Sequence, residues 1–423
     1  MNIRIEPAKL SGSTVAPPSK STAHRVLIAA ALADRPTEII LPEESEDTQA
    51  TRECLQALGA QSRREKDVLH ISPIHARQSS AELDCGESGS TLRFLMPVAA
   101  SLGRAAHFCG RGRLPDRPLS PFREELQKHG CQFSAEKLPF VLSGQLQPGR
   151  FQLPGNISSQ FISGLLFALP RLRQNSTIEL STDLESSGYV DLTREILAQF
   201  GIIIQAEKRI FHIPGNQSYI SPGKITVEGD WSNAAFFLAA GALSAPLECC
   251  GLKADSSQGD KRILQELRRF GAQVIEQSGK ILVSPGTLTG CRIDVGEIPD
   301  LLPILAVLAA FAKGSSTLYN AARLRLKESD RLTAVRNMLL ALGGKAEETP
   351  DSLIIHGQDQ LPGGLVDSCN DHRIVMAAAI AACRCQNPVR IHNAQAVRKS
   401  WPDFFTAYAS LGDRKSTRLN SSH

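Results

Sequence analysis

Ile196-Leu197-Ala198-Gln199-Phe200-Gly201-Ile202 reads as the apolar end of a helix, a glycine, and the start of an apolar strand. A helix C-terminus commonly ends on a residue with positive φ, which glycine adopts without strain. The same pattern recurs at Cys54-Leu55-Gln56-Ala57-Leu58-Gly59-Ala60, Glu125-Leu126-Gln127-Lys128-His129-Gly130-Cys131 and Leu267-Arg268-Arg269-Phe270-Gly271-Ala272. It returns at Leu339-Leu340-Ala341-Leu342-Gly343-Gly344 and Tyr408-Ala409-Ser410-Leu411-Gly412. The glycines at 59, 130, 201, 271, 343 and 412 are separated by 71, 71, 70, 72 and 69 residues. Five nearly equal gaps point to six copies of one module, each glycine closing a helix with positive φ.

After each glycine come a short strand, a polar turn and a second strand. Gln273-Val274-Ile275-Glu276 turns through residues 277–280 into Ile281-Leu282-Val283-Ser284. Ile202-Ile203-Ile204-Gln205 turns at Glu207-Lys208 into Ile210-Phe211-His212-Ile213. Each module also holds a helix without a polar face, such as Phe236–Leu243 or Leu301–Phe311, and such helices are buried on every side. The expected fold is therefore α/β with helices inside and sheets outside. The sixth module runs out of chain at Gly412, so Asn2-Ile3-Arg4-Ile5-Glu6-Pro7 is expected to supply its closing strand. Three modules then form each domain: residues 1–18 with 229–412, and residues 19–228. The crossings fall at Pro17-Pro18 and Glu228-Gly229-Asp230, which have hinge chemistry.

A chain of 423 residues is long enough for two cored domains, and 42% hydrophobic with 21% charged residues is ordinary globular composition. No apolar run reaches membrane-spanning length and the N-terminus lacks a signal-peptide pattern, so a cytoplasmic protein without a membrane partner is expected. Ten cysteines without a CxxC pair suggest reduced thiols and no zinc site. Residues 413–423 have no apolar period and read as a non-native tail. That stretch holds three basic groups and one acidic group, which brings the formal charge from +4 to +2 for the remainder. So small an excess gives no case for nucleic acid.

The cations instead gather at helix starts. Ala16-Pro17-Pro18-Ser19-Lys20-Ser21-Thr22-Ala23-His24-Arg25 forbids helix before it and leads into an apolar run, so Ser19 or Ser21 is a natural N-cap. Lys20 sits at the helix mouth and Arg25 about one turn further in. Open backbone N–H groups beside cations bind anions, although a plain capped helix has the same residues. Cys85-Gly86-Glu87-Ser88-Gly89-Ser90-Thr91-Leu92-Arg93 lets a ligand approach the backbone, or is a capping turn. Gly110-Arg111-Gly112-Arg113-Leu114-Pro115-Asp116-Arg117-Pro118 holds arginines in proline turns that suit a carboxylate or phosphate clamp. Asn156-Ile157-Ser158-Ser159-Gln160 offers neutral donors. Arg325-Leu326-Lys327-Glu328-Ser329-Asp330-Arg331 mixes signs as a salt-bridged helix start does. Asn370-Asp371-His372-Arg373 and Val397-Arg398-Lys399 each precede a helix, and Asp300 heads another, where a carboxylate can act as a cap. No Walker A motif, dinucleotide fingerprint or metal-ligand spacing is present. The residues point to metal-free chemistry on small phosphorylated or carboxylated substrates.

In order and spacing, Lys20-Ser21 with Arg25, Ser88-Gly89-Ser90 with Arg93, Arg117-Pro118, Ser158-Ser159-Gln160, Lys327 to Arg331, Asn370 to Arg373 and Lys399 closely resemble the EPSP synthase family. The likeness covers residues 1 to about 412. It implies a two-domain inside-out α/β barrel of six βαβαββ units, three per domain. It also implies enolpyruvyl transfer from phosphoenolpyruvate to the 5-hydroxyl of shikimate 3-phosphate, releasing phosphate, in the shikimate pathway to chorismate and aromatic amino acids. No cofactor and a monomeric state are implied as well. By resemblance, Lys20, Ser21, Arg25, Ser158, Ser159, Gln160, Tyr189, Asp300 and Lys327 hold shikimate 3-phosphate. Lys20, Gly89, Arg117, Gln160, Arg331, Arg373 and Lys399 meet phosphoenolpyruvate. Asp300 is the proton acceptor, Glu328 the proton donor, and Lys20 shares in the proton transfer.

The sequence departs from the family at Glu87, where many relatives have asparagine, and at Arg323, where some carry an asparagine that contacts shikimate 3-phosphate. One alternative is the sister transferase acting on UDP-N-acetylglucosamine. That family typically has Lys-Asn near the start and a reactive loop cysteine, whereas here Ser21 follows Lys20 and residues 111–117 contain no cysteine. The other alternative is a non-catalytic binding scaffold, which has no need to keep both proton carriers.

Overall fold

The computed structural model describes residues 1–75, 80–277 and 279–412. The tail read as non-native at 413–423 lies outside the described residues. The chain divides into two compact units, one of Pro18–Val227 and one of Met1–Pro17 together with the chain from Glu228 onward.

Both units repeat one layout. In Pro18–Val227, the strands Ser80–Asp84 and Ala105–Cys109 pair in parallel across the buried helix Gly89–Ser101. The helix Phe122–Lys128 follows, and the strands Cys131–Phe133 and Phe140–Gly144 then extend the sheet antiparallel. The same order recurs in Arg150–Leu153, Ser176–Leu180, Ile210–Ile213 and Gln205–Glu207. In the third sheet, Lys224–Thr226 comes from the far end of the unit to lie parallel to Thr37–Ile40. The other unit has two four-stranded sheets of this kind, the first opened by Gly12–Val15 beside Leu247–Cys250. Its third sheet has three strands: Gly364–Asp367 and Val389–His392 in parallel, closed by Ile3–Ile5 running antiparallel, with Ile3 opposite Ile391.

The helices Lys20–Ala31, Gly89–Ser101 and Ser159–Ala168 form the interior of one unit. Trp231–Leu243, Leu302–Ala310 and His372–Ala381 form that of the other, and every residue of these three is buried. Strands such as Ser80–Asp84, Ser176–Leu180 and Lys280–Ser284 alternate buried residues with partly or fully exposed ones, so these sheets turn one face to the helices and one outward. Helices inside and sheets outside is thus the observed arrangement.

Two local expectations need correction. Gly59, Gly130, Gly201, Gly271 and Gly343 all have positive φ, but Gly412 is extended at φ −85° and bridges antiparallel to Leu10. Leaving the helix in an extended conformation is what lets it reach that partner. Residues 202–204 are not strand; pairing begins only at Gln205. The Gln217 side chain takes both backbone groups of Ile203, accepting from its N–H at 2.7 Å and donating to its carbonyl at 3.0 Å. The sheet ladder is not needed there to satisfy them.

Candidate active site

In Pro18–Val227, Ser19 caps the Lys20–Ala31 helix by accepting from Thr22 N at 3.3 Å. Lys20 Nζ lies 3.0 Å from Asp47 Oδ2, both side chains largely buried. Asp47 sits in the first turn of the helix Glu46–Ala57, capped by Ser45. Arg25, one turn below Lys20, donates from Nη1 to Ser21 O (2.7 Å), from Nη2 to Tyr189 O (2.9 Å) and from Nε to Thr193 Oγ1 (2.8 Å). Burial pulls its pKa down to about 10, so it stays a cation at neutral pH. Arg25 is thereby also a clamp between two helices, which its sequence position does not reveal.

Ser88 caps Gly89–Ser101. Gly89 leaves room for the Arg117 side chain: a Cβ there would lie 2.6 Å from its Nη1, so the guanidinium would have to shift. The Arg117 guanidinium thus lies over an open helix start. Ser158 caps Ser159–Ala168 by accepting from Gln160 N. The Gln160 amide is held at both ends: Arg93 Nη1 donates to Oε1 at 2.6 Å, and Nε2 donates to Ser90 Oγ at 2.8 Å. Both serines are thus caps, with the Arg93, Ser90 and Gln160 side chains gathered beside them. Glu87 packs its carboxylate on the arginine loop, where a Cβ on Gly112 would meet it at 2.5 Å.

In the other unit one guanidinium organises the charges. Arg331 opens the helix Arg331–Ala341, which Asp330 caps. Its Nη1 lies 2.9 Å from Asp300 Oδ1, its Nη2 2.6 Å from Glu328 Oε2, and its Nε 2.9 Å from Asp371 Oδ2. Asp371 is wholly buried, also accepts from Ser329 Oγ at 2.9 Å, and caps the helix His372–Ala381 through Arg373 N. Arg373 returns its side chain to Asp300, with Nη2 2.9 Å from Oδ2, and to Ser232 Oγ at 3.0 Å. Lys327 Nζ stands 3.7 Å from Asp300 Oδ1, and Lys399 Nζ donates to Asn370 O at 2.7 Å. Arg323 is tied to the backbone, donating to Gly296 O at 2.6 Å.

Asp300 does not cap the apolar helix from Leu302, which has no side-chain cap. It lies in the preceding turn Pro299–Leu301 and turns toward the cations instead. Burial works to push its carboxyl pKa up, but Arg373, Lys327 and Arg331 outweigh burial and hold it well below the usual carboxylate range. For Arg331, the carboxylates of Asp371, Glu328 and Asp300 likewise outweigh burial and raise its pKa. The arrangement offers an ionised carboxylate, a second carboxyl on the same guanidinium, and several cations suited to phosphate and carboxylate groups.

Sequence reasoning gave no role to Asp47 or Asp371, and it missed Ser232. A carboxylate in a helix's first turn reads as ordinary dipole complementation, and partners 27 and 40 residues away carry no local signal. Among the described residues, no cluster of His, Cys, Asp and Glu is arranged to hold a metal ion, and no helix is long and apolar enough to cross a membrane.

The family model "EPSP synthase (3-phosphoshikimate 1-carboxyvinyltransferase)" matches residues 5–407. A 3-phosphoshikimate 1-carboxyvinyltransferase of Clostridium kluyveri is 42% identical over 416 residues, 97% of each chain. That of Clostridium perfringens is 44% identical over 414 residues, 96% of this chain and 97% of the relative. Among solved structures, an EPSP synthase of Acinetobacter baumannii superposes with a TM-score of 0.82 at 25% identity, covering 99% of this chain and 100% of its own. The enolpyruvyl transferase NikO of Streptomyces tendae, at 18% identity and TM-score 0.79, shares the fold. With near-complete coverage by family model and relatives alike, the chain belongs to the EPSP synthase family.

Proposed function

We propose that this chain transfers the enolpyruvyl group of phosphoenolpyruvate to the 5-hydroxyl of shikimate 3-phosphate and releases phosphate by addition and elimination. The observation that carries the site assignment is the sharing of Arg331 by Asp300 and Glu328, two carboxyl groups on one guanidinium. Glu328 gives a proton to the methylene carbon of phosphoenolpyruvate, and the adjacent carbon takes on cationic character. The 5-hydroxyl attacks that carbon as Asp300 accepts its proton. Elimination reverses the proton movement at the methyl group and expels phosphate, whose charge Lys20, Arg117, Arg331, Arg373 and Lys399 stabilise.

Asp300 with its cations in place is ionised but a weak base. A phosphate or carboxylate drawing on Arg331 and Arg373 loosens their hold and strengthens it as a base. Lys20, Ser21, Arg25, Ser158, Ser159, Gln160, Tyr189, Asp300 and Lys327 are assigned to shikimate 3-phosphate. Lys20, Gly89, Arg117, Gln160, Arg331, Arg373 and Lys399 are assigned to phosphoenolpyruvate, with Lys20 sharing in proton transfer. The reading includes a cytoplasmic monomer whose functional domains are residues 1–18 with 229–412 and residues 19–228. The chemistry moves protons, forms one carbon–oxygen bond to the 5-oxygen and breaks another to the leaving phosphate, so no electron or group carrier is needed.

The test is phosphate release by the full chain with phosphoenolpyruvate and either shikimate 3-phosphate or UDP-N-acetylglucosamine. Turnover is expected with shikimate 3-phosphate alone; turnover with the nucleotide sugar only, or with neither, overturns the reading. Asp300→Asn and Glu328→Gln are each expected to lower turnover about 10²- to 10⁴-fold while calorimetric binding of shikimate 3-phosphate persists.

A further inference from the structure

Inside Pro18–Val227, four buried side chains form one continuous line of hydrogen bonds. His24 Nδ1 lies 2.7 Å from Thr51 Oγ1, Thr51 Oγ1 lies 2.6 Å from Thr91 Oγ1, and Thr91 Oγ1 lies 2.7 Å from Ser88 Oγ. None of the four is more than 1% exposed. They stand on three helices: His24 on Lys20–Ala31, Thr51 on Glu46–Ala57, and Thr91, with its cap Ser88, on Gly89–Ser101.

The direction of the protons follows from the ends. Burial, with Lys20 and Arg25 nearby, holds the His24 pKa well below its ordinary value, so the ring is neutral and carries one N–H. The ring lies edge-on to Phe94, and its buried Nε2 has no hydrogen-bond partner among the described residues. A proton on Nε2 would be a stranded donor, and because Thr91 Oγ1 donates to Ser88 Oγ it would also leave no proton between Thr51 and Thr91, whereas a proton on Nδ1 leaves only a bare lone pair. With Nδ1–H donating, Thr51 accepts from His24 and donates to Thr91, and Thr91 donates to Ser88. Ser88 Oγ also accepts from Thr91 N at 3.2 Å, so the line ends on the oxygen that caps the third helix.

The placement has a simple geometry. Lys20 precedes His24 by four residues, Asp47 precedes Thr51 by four, and Gly89 follows directly on Ser88. The line therefore joins the three helices one turn below, or at, the groups at their starts: the Lys20–Asp47 ion pair and the Gly89 start under Arg117. A slip of one helix against another would stretch a 2.6–2.7 Å contact before it showed in the apolar packing.

We propose that His24, Thr51 and Thr91 are positioning residues: their hydrogen-bonded line sets the register of three helix starts and so places Lys20, Asp47 and the Gly89–Ser90 turn for phosphoenolpyruvate. This rests on the assignment of Lys20 and Gly89 to the phosphoenolpyruvate site, Asp47 entering as the partner of Lys20. Thr51→Val keeps the side chain's shape and removes its hydroxyl, and Thr51→Ser keeps the hydroxyl. The expected result is a loss in kcat/KM for phosphoenolpyruvate on the order of 10-fold in Thr51→Val, with recovery in Thr51→Ser and a smaller change for shikimate 3-phosphate. Adding Thr91→Val to Thr51→Val is expected to cost little more, since the line is already broken. Nitrogen-resolved NMR of His24 reads the line without any turnover: an Nδ1–H tautomer is expected in the wild type, and its loss or exchange in Thr51→Val. An Nε2–H tautomer in the wild type overturns the proton direction. Wild-type kinetics in a folded Thr51→Val, or a defect that Thr51→Ser shares in full, overturns the positioning role. If Thr51→Val does not fold, a folded Thr51→Ser whose kcat/KM for phosphoenolpyruvate is itself down on the order of 10-fold still overturns it. Absence of turnover in the wild type with the expected tautomer present would break the substrate assignment, leaving the line itself intact.

Discussion

The two units share a scaffold and differ in how they hold their polar groups. Around Lys20, Gly89 and Gln160, one ion pair and the Arg93 guanidinium are set among hydrogen bonds of hydroxyls and one amide. Around Arg331, three carboxylates crowd one guanidinium and a second arginine returns to one of them. A network of hydroxyls depends on distance and direction, and removing one member leaves a small defect. A buried charge cluster depends on balance, and removing one member leaves net charge where water cannot reach it. The first arrangement suits holding a substrate in register. The second suits moving protons, because its members already compete for the same cation.

The largest expected effect tests that balance. Arg331→Met leaves Asp371 wholly buried with its principal cation gone, and breaking a buried pair of this kind costs roughly 3–5 kcal/mol. Urea unfolding is expected to show that loss together with loss of turnover. A drop below 1 kcal/mol would mean that Asp371 is satisfied by Ser329 and the helix start alone.

A second prediction uses pH. Folding favours the ionised form of Asp300, because Arg373, Lys327 and Arg331 overcome the effect of burial. The resulting stabilisation is complete above the unfolded carboxyl value of about 4 and is lost as pH falls through the lower native value. The stability difference between wild type and Asp300→Asn is thus expected to be constant at neutral pH and to shrink below about pH 4. A difference that grows on acidification would reverse the sign argued for the cluster.

The smallest effects should be alike in both units, because they concern the shared scaffold. Gly130 has φ +90° and Gly343 φ +84°, each closing a helix, so alanine at either should cost about 1–3 kcal/mol through backbone strain. Gly412, at φ −85°, should accept alanine within about 0.5 kcal/mol. Thermal unfolding of the three variants checks both halves of that statement. Equal costs at all three would make the sixth helix end like the others after all.

Much of this was legible in the sequence because it was periodic or local. The glycine spacing revealed the repeat, the all-apolar helices revealed an interior, and Ser19, Ser88 and Ser158 stood where caps belong. What escaped depends on side chains meeting across long separations. Gln217 replacing a ladder at Ile203, Asp371 under Arg331 and Thr51 between two helices each use a common residue type at an ordinary position. Asp300 shows the limit most clearly: its place before an apolar helix fits a cap, and only the approach of Arg331 and Arg373 reveals otherwise.

The strand Ile3–Ile5 must wait for its sheet neighbour Val389–His392, which enters the chain almost four hundred residues later. At about 5–20 residues per second, a nascent chain on the ribosome carries those two isoleucines unpaired for roughly 20–80 s. In the finished protein Ile3 and Ile5 are 5% and 1% exposed, so two residues buried at the end stay open through most of synthesis. Arg4 between them, paired with Glu6 just after, supplies charge and Pro7 lacks an N–H, which discourages premature pairing with another strand edge. The N-terminal segment thus carries its own protection for an interval that exists only while the protein is being made.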